Sequence, residues 1–223
     1  MHHDTGPLTA LQSWETPSGT VAMRLLARRG MVPPMALLLL NKPFRVLCQF
    51  TDERGRDTLS RYVDMPGIYP AGRLDYDSEG LLLLTDDGRL QSRIAHPRHK
   101  LPKTYLAQVE GEIGEQAIRE LTGGVIIRGR AARAVSAARV PEPDWLWPRH
   151  PPIRYRRNVA DSWVEITLDE GRNRQVRRMC AAVDAPVLRL IRSRVGPWTL
   201  GGLGPGEYEA LSGAQAWRML SRA

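Results

Sequence analysis

The chain has 223 residues, 42% hydrophobic and 25% charged, an ordinary balance for one large globular domain or two small ones. Its 32 Lys and Arg against 24 Asp and Glu give a net charge of +8 and a pI near 10.1, so the expected partner is a polyanion, either nucleic acid or an anionic membrane. The 2 cysteines, Cys48 and Cys180, lack metal-ligand spacing and no apolar run approaches the length of a bilayer span, which sets aside a disulfide scaffold and a membrane helix and leaves a cytoplasmic protein with free thiols as the expectation.

Residues 1–34 read as a weakly structured tail rich in Gly and Pro, with Met23 to Arg29 as a possible short basic helix. From residue 35 to the end the pattern is that of a folded domain. Ala36 to Leu40 and Arg45 to Phe50 read as strands joined by a turn at Asn41-Lys42-Pro43. Arg56 to Val63 reads as a short helix. Leu81 to Leu84 has the length and flanks of a buried strand, and Asp86-Asp87 can cap a helix over Gly88 to Ala95 with Leu90 and Ile94 inward.

Further on, Lys103 to Val109 alternates like a strand, Glu112 to Leu121 reads as a helix ended by Gly123-Gly124, and Val125 to Ile127 and Ala134 to Val140 read as strands. Pro141 to Pro152 is an irregular loop. Ser162 to Leu168 places Val164, Ile166 and Leu168 on one face. A helix from about Asn173 to Val183, a strand from Pro186 to Arg192, a strand from Glu207 to Leu211 and a helix from Ala214 to Leu220 complete the chain. Strands and helices in no regular βαβ order predict an α+β fold with a mixed sheet.

The stretch that carries most chemistry is Gly72-Arg73-Leu74-Asp75-Tyr76-Asp77-Ser78-Glu79-Gly80, which runs straight into Leu81. A charged turn anchored by a buried strand holds Asp75 in a fixed place. The acids at 75, 77, 79 and 86 partly match a calcium loop, but Pro70 and Gly72 oppose an entering helix and the leucines fill the loop's second half. His96, His99 and His150 lack the helical spacing or nearby cysteines of a zinc site.

A second stretch is Glu170-Gly171-Arg172-Asn173-Arg174-Gln175-Val176-Arg177-Arg178-Met179. On a helix, Val176, Met179, Cys180 and Val183 form one buried stripe. Arg174, Arg177 and Arg178 then lie off that stripe, with Arg172 at the helix entrance, facing either solvent or a cleft. An arginine brought beside Asp75 would favour its ionised form. A third stretch interleaves Trp145, Trp147, Arg149, Arg154, Tyr155, Arg156 and Arg157, and Arg98, His99, Lys100 and Lys103 precede Tyr105. Cations among rings suit phosphate contacts plus base stacking; tryptophans that simply bury themselves are the competing reading.

Gly72-Arg-Leu-Asp75 with Ser78-Glu-Gly80, the leucine run, Thr85 and Asp87-Gly88 resembles the signature of the RsuA-type rRNA pseudouridine synthases. Lys103-Thr-Tyr105 through Gly111 resembles the family's second motif, Glu170 to Met179 its third, and Leu188-Arg189 and Gly196 continue the pattern. Glu79 departs from the Ser that many members carry. Residues 1–34 do not resemble the S4 RNA-binding domain common in the family, so the stand-alone branch is the better match.

The resemblance implies a pseudouridine-synthase core: a bent, mixed, mostly antiparallel sheet with flanking helices and two sub-domains around a central cleft. It implies isomerisation of a 23S rRNA uridine by base flipping, with no metal and no cofactor. In that scheme Asp75 is the essential carboxylate, acting on ribose or base. Arg177 is its ion-pair partner, Tyr105 stacks on the flipped uracil, and Arg73 fills the gap the base leaves or holds its phosphate. Lys103, Arg172, Arg174 and Arg178 are the remaining RNA-binding candidates. The implied partner is large-subunit rRNA or an assembling ribosomal particle, met by a monomer away from any membrane. A non-catalytic rRNA-binding or assembly factor is the alternative.

Overall fold

A computed structural model of the chain describes residues 36–153 and 160–222. The expected tail at 1–34 and the basic-aromatic residues Arg154 to Arg157 lie outside the described residues.

In chain order the elements are β1 (Ala36–Lys42), β2 (Tyr69–Pro70), β3 (Glu79–Thr85), α1 (Gly88–Ala95), β4 (Lys103–Glu110), α2 (Glu115–Gly123), β5 (Val125–Ile127), β6 (Arg130–Ala132), β7 (Ser136–Val140), β8 (Asp161–Leu168), α3 (Gln175–Ala181), β9 (Val187–Val195), β10 (Trp198–Thr199), β11 (Tyr208–Ser212) and α4 (Gly213–Leu220). The main sheet runs β11-β1-β3-β9-β4-β8-β7, with β2 added on β3 and β10 on β9. Its pairings are antiparallel except β3 with β9, which run parallel through Glu79↔Ile191 and Gly80↔Arg192. The fold is α+β with a mixed, mostly antiparallel sheet.

The leucine runs of β1 and β3 are continuous because both faces of the sheet centre are covered. In register, Leu38 faces Leu84, Leu39 faces Leu83 and Leu40 faces Leu82. Leu37, Leu39, Leu81 and Leu83 join a core with α1 and α4, while Leu38, Leu40, Leu82 and Leu84 pack on Val46, Leu59 and Ile68 on the other face. A third core lies under α2 and α3, where Val164, Ile166 and Leu168 meet Val176, Met179 and Cys180. Each fully buried leucine contributes about 1.5–3 kcal/mol by removal from water.

Helix α1 starts where its cap requires. The Asp87 carboxylate accepts from the backbone N–H groups of Arg89 and Leu90 at 2.8 and 3.1 Å, and Trp217 Nε1 donates to its second oxygen at 2.8 Å. The close parallel approach of β3 to β9 requires glycine at position 80. Gly80 has φ +98°, and a Cβ there would lie 2.4 Å from the Arg192 carbonyl oxygen.

Three expectations fail. Arg45 to Phe50 is not a strand, because its backbone groups bond outside the sheet. Arg45, at φ 60°, donates to the Tyr76 carbonyl at 2.9 Å, and Leu47 donates to Asp57. The segment braces the Asp75 turn instead. Arg56 to Val63 contains only a 3-10 turn, Leu59–Arg61. Lys42 is also not in a turn: it ends β1 fully buried, its Nζ donating to the carbonyls of Pro43 and Val46 at 2.8 and 2.9 Å.

Candidate active site

Asp75 sits in the segment that leads into β3. Its carbonyl accepts from Ser78 N at 3.1 Å, closing a tight turn. One residue earlier, Leu74 N donates to Cys48 Sγ at 3.3 Å, and the thiol donates back to Leu74 O at 3.4 Å. The Asp75 backbone is therefore tied on both sides before β3 enters the core.

The turn borders a cleft of about 560 Å³. Asp75, Arg73, Lys103, Tyr105, Arg172 and Arg174 all line it, as does Arg192. Tyr105 and Arg192 are direct partners across β4 and β9, beside a register shift that skips Ser193. Such a bulge re-aims neighbouring side chains, and here both point into the cleft. Arg192 is 3% exposed; its Nε donates to Leu81 O at 2.7 Å and its Nη1 to Arg73 O at 3.4 Å. Lys103 Nζ donates to Leu101 O at 2.8 Å, and burial, with the charge of Arg192 added, lowers its pKa to about 8. Ser78 also lines the cleft, and its Oγ is buried without a hydrogen-bond partner among the described residues.

The ion pairs differ from the expected Asp75–Arg177 contact. Arg174 closes on Asp77 with two bonds, Nη1 to Oδ1 at 2.7 Å and Nη2 to Oδ2 at 2.9 Å, and its Nη1 lies 3.8 Å from Asp75 Oδ2. Arg177 Nη2 donates to the Asp77 carbonyl at 2.6 Å and lies 3.5 Å from its carboxylate. No ion pair joins Asp75 to Arg177 among the described residues. The turn is the reason: it sends Asp77 toward α3 and leaves Asp75 on the cleft wall. Burial raises the Asp77 carboxyl, but the Arg174 bonds and the Arg177 charge outweigh it and hold it below the usual carboxylate range. Burial lowers the Arg177 pKa, partly countered by Asp77.

Arg178 also lies off the cleft lining. It donates to the Asn173 side chain at 2.6 Å and to the Asn173 carbonyl. Arg172 reaches the cleft while tied to Glu170 at 3.0 Å and to Ala131 O at 2.9 Å. Behind the turn, Glu79 is 2% exposed and pairs with Arg189 at 2.8 and 2.9 Å. Trp147 Nε1 donates to the same carboxylate at 2.9 Å, so this tryptophan is structural, whereas Trp145 is 49% exposed. Among the described residues no group of three or more His, Cys, Asp or Glu is placed to hold a metal ion.

Residues 36–182 match the family model described as RNA pseudouridylate synthase. The chain belongs to that family. A protein of Xanthomonas campestris pv. campestris named ribosomal large subunit pseudouridine synthase E is 49% identical over 174 residues, 77% of this chain and 93% of the relative. One of the same name from Vibrio parahaemolyticus is 45% identical over 175 residues, 78% of this chain and 73% of that one. A solved structure titled as the crystal structure of a pseudouridylate synthase superposes with a TM-score of 0.67 at 30% identity, covering 84% of this chain and 75% of its own.

As a pseudouridylate synthase the protein is an RNA-modifying isomerase, and the cleft is its candidate active site. Sequence reasoning missed Arg192, Lys42 and the orphan hydroxyl of Ser78. Arg192 carried no distinguishing local signal, because β9 also holds Arg189, Ser193 and Arg194.

Proposed function

We propose that the protein converts a uridine of large-subunit ribosomal RNA to pseudouridine, with Asp75 as the essential carboxylate. The observation that carries this reading is Asp75 lining one cleft with Tyr105, Lys103 and Arg192, in a chain of this family. The relatives named for the ribosomal large subunit support the choice of RNA.

A target inside a helix or stack cannot reach the Asp75 carboxylate, so the nucleotide enters the cleft flipped out at a cost of a few kcal/mol. Stacking on Tyr105 returns about 1–3 kcal/mol. Breaking the N-glycosidic bond leaves its electron pair on the uracil and a deficit at the ribose. Asp75, acting on ribose or base, compensates that deficit. Lys103 and Arg192 face the same space and offset the charge on the base. The uracil then turns and rejoins through C5, and the C5 proton is lost while N1 gains one. Product and substrate are isomers. Arg73, exposed at the rim, holds a flanking phosphate or the vacated base position, and Arg172 and Arg174 supply further cationic contacts. Arg177 acts from behind, through Asp77. In this reading the acting unit is a monomer. The free thiols Cys48 and Cys180 agree with a cytoplasmic setting.

The test is incubation with an unmodified 23S rRNA transcript in EDTA, followed by pseudouridine mapping. The wild type should modify one or a few sites. Asp75→Asn should bind the transcript within about threefold of wild type while losing roughly a thousandfold or more in rate. Absence of product with the wild type would remove the activity, and a fully active Asp75→Asn would remove the role of Asp75.

A further inference from the structure

A second hollow of about 680 Å³ lies beside the cleft. Lys100 and Leu101 line both, so this pair forms the ridge between them. The hollow draws cations from separate elements: Arg93 from the last turn of α1, Arg194 from β9 and Arg222 from beyond α4, besides Lys100 on the ridge. No acidic residue lines it. Among the described residues no ion pair is formed by Arg93, Arg194 or Arg222, and Lys100 has only a contact of 3.8 Å with the half-buried Asp169. Met219, itself exposed, adds an apolar surface.

Each cation alone has a bland account; Arg93, for example, suits the negative end of a helix dipole. That account does not explain why four of them converge on one concavity without an acid. The ridge is also fixed. Lys100 takes a left-handed backbone (φ 46°), and Leu101 packs so tightly against Gly196 that a Cβ there would come within 2.7 Å of it. Gly196 N donates to Pro102 O at 2.8 Å. His99, at the same wall, has its pKa lowered by desolvation and by the charges of Arg93 and Arg98, which marks a positive field.

We propose that this hollow holds the phosphodiester backbone of the RNA segment flanking the target nucleotide, the strand crossing the Lys100–Leu101 ridge as it leaves the cleft. The inference rests on the rRNA reading of the cleft and adds a second, sequence-independent anchor to it. Phosphate oxygens would meet the arginines, and ribose carbons the side chain of Met219. Such contacts give affinity and register rather than base selectivity.

The experiment compares the double variant Arg93→Gln/Arg222→Gln with a control of equal charge loss, Arg119→Gln/Arg133→Gln, whose residues are exposed away from both hollows. Binding of an unmodified 23S rRNA transcript is measured from 50 to 300 mM salt, and kcat and KM for pseudouridine formation are measured in parallel. Each lost phosphate contact should flatten the slope of log K against log salt by about 0.7–0.9. The Arg93/Arg222 pair should therefore lose about 1.5 in slope, with KM raised about tenfold and kcat within twofold of wild type. The control should change the slope by less than about 0.5. A slope equal to that of the control overturns the proposal. The slope comes from binding alone, so it decides the matter even if the wild type forms no pseudouridine, a result that would instead strike the catalytic reading.

Discussion

Arg174 grips Asp77 with both terminal nitrogens, at 2.7 and 2.9 Å, while its nearer nitrogen stands 3.8 Å from Asp75. The pair ties the Asp75 turn to the start of α3 and presents one guanidinium to two carboxylates. Asp77 thus fixes Arg174 so that Asp75 keeps a neighbouring cation without being capped by it, and its oxygens stay on the cleft side.

Loss of that clamp should be seen in both stability and rate. Asp77→Ala is expected to cost about 1 kcal/mol, since the pair is charge-assisted but partly exposed. Its kcat should fall about tenfold as Arg174 is released toward Asp75. The acid limb carries a sign. The Asp77 carboxyl is held below its ordinary value in the folded protein. Its contribution is therefore complete above the unfolded value, near pH 4, and is lost as pH falls through the folded one. Urea unfolding of Asp77→Asn between pH 2.5 and 5 should show a flatter pH dependence than wild type; parallel curves would contradict the clamp.

Lys103 gives a basic limb. With its pKa lowered to about 8 by burial and by Arg192, it is cationic at neutral pH and loses its charge as pH rises through 8. The profile of kcat/KM reports groups of the free enzyme. It should fall by up to about tenfold between pH 7.5 and 9, and Lys103→Arg, which cannot lose its proton there, should abolish that fall. Lys42, also lowered to about 8 by burial, is present in both proteins, so a fall that persists in Lys103→Arg would point to Lys42 instead. The stability effect has the opposite sense. Between about 8 and the ordinary lysine value the unfolded chain holds the proton that folded Lys103 has lost, so stability rises with pH across that window.

What the sequence disclosed was local. The buried strand around Leu81 to Leu84 and the capped helix over Gly88 to Ala95 follow from apolar runs and a single Asp87, and both stand where expected. Asp75, Arg73, Lys103, Tyr105, Arg172 and Arg174 do share one cleft. The partner of Arg177 was not legible, because two aspartates separated by one residue in a tight turn exchange roles on a small rotation. Arg192 was hidden for a different reason. Its burial depends on the parallel β3–β9 contact and on the bulge at Ser193, and nothing within a few residues of it records either. Arg45 to Phe50 has the composition of a strand, yet its Arg45 N–H is spent on the turn that carries the site and its Leu47 N–H on Asp57.

Ser78 supplies a test in which stability and function move apart. Its hydroxyl is buried on a residue of the cleft lining and has no hydrogen-bond partner among the described residues, a state that costs about 1–3 kcal/mol until a polar group arrives. Ser78→Ala should leave the free protein as stable as wild type or up to about 1 kcal/mol more so. KM for the 23S transcript should rise roughly five- to tenfold, because the lost bond is made only to bound RNA. A loss of stability with unchanged KM would show that the hydroxyl serves the fold.

The Glu79–Arg189 pair should be the most costly of these contacts to break. Both side chains are almost sealed, at 2% and 5% exposure, and the pair pins the start of β3 to β9 across 110 residues of chain. Trp147 covers it with an indole bond to the same carboxylate. Removing one partner strands a charge in the interior, so Glu79→Ala should cost about 3–5 kcal/mol in urea unfolding. Replacing both by apolar residues of similar volume, Glu79→Leu with Arg189→Met, should recover most of that loss, since no charge is then left unpaired. The two outcomes separate charge stranding from lost packing: if the double variant is as unstable as the sum of the single ones, packing alone accounts for the cost. Activity should not return with stability in the double variant. The pair also sets where β3 meets β9, and with it the distance between Asp75 on the turn and Arg192 on β9.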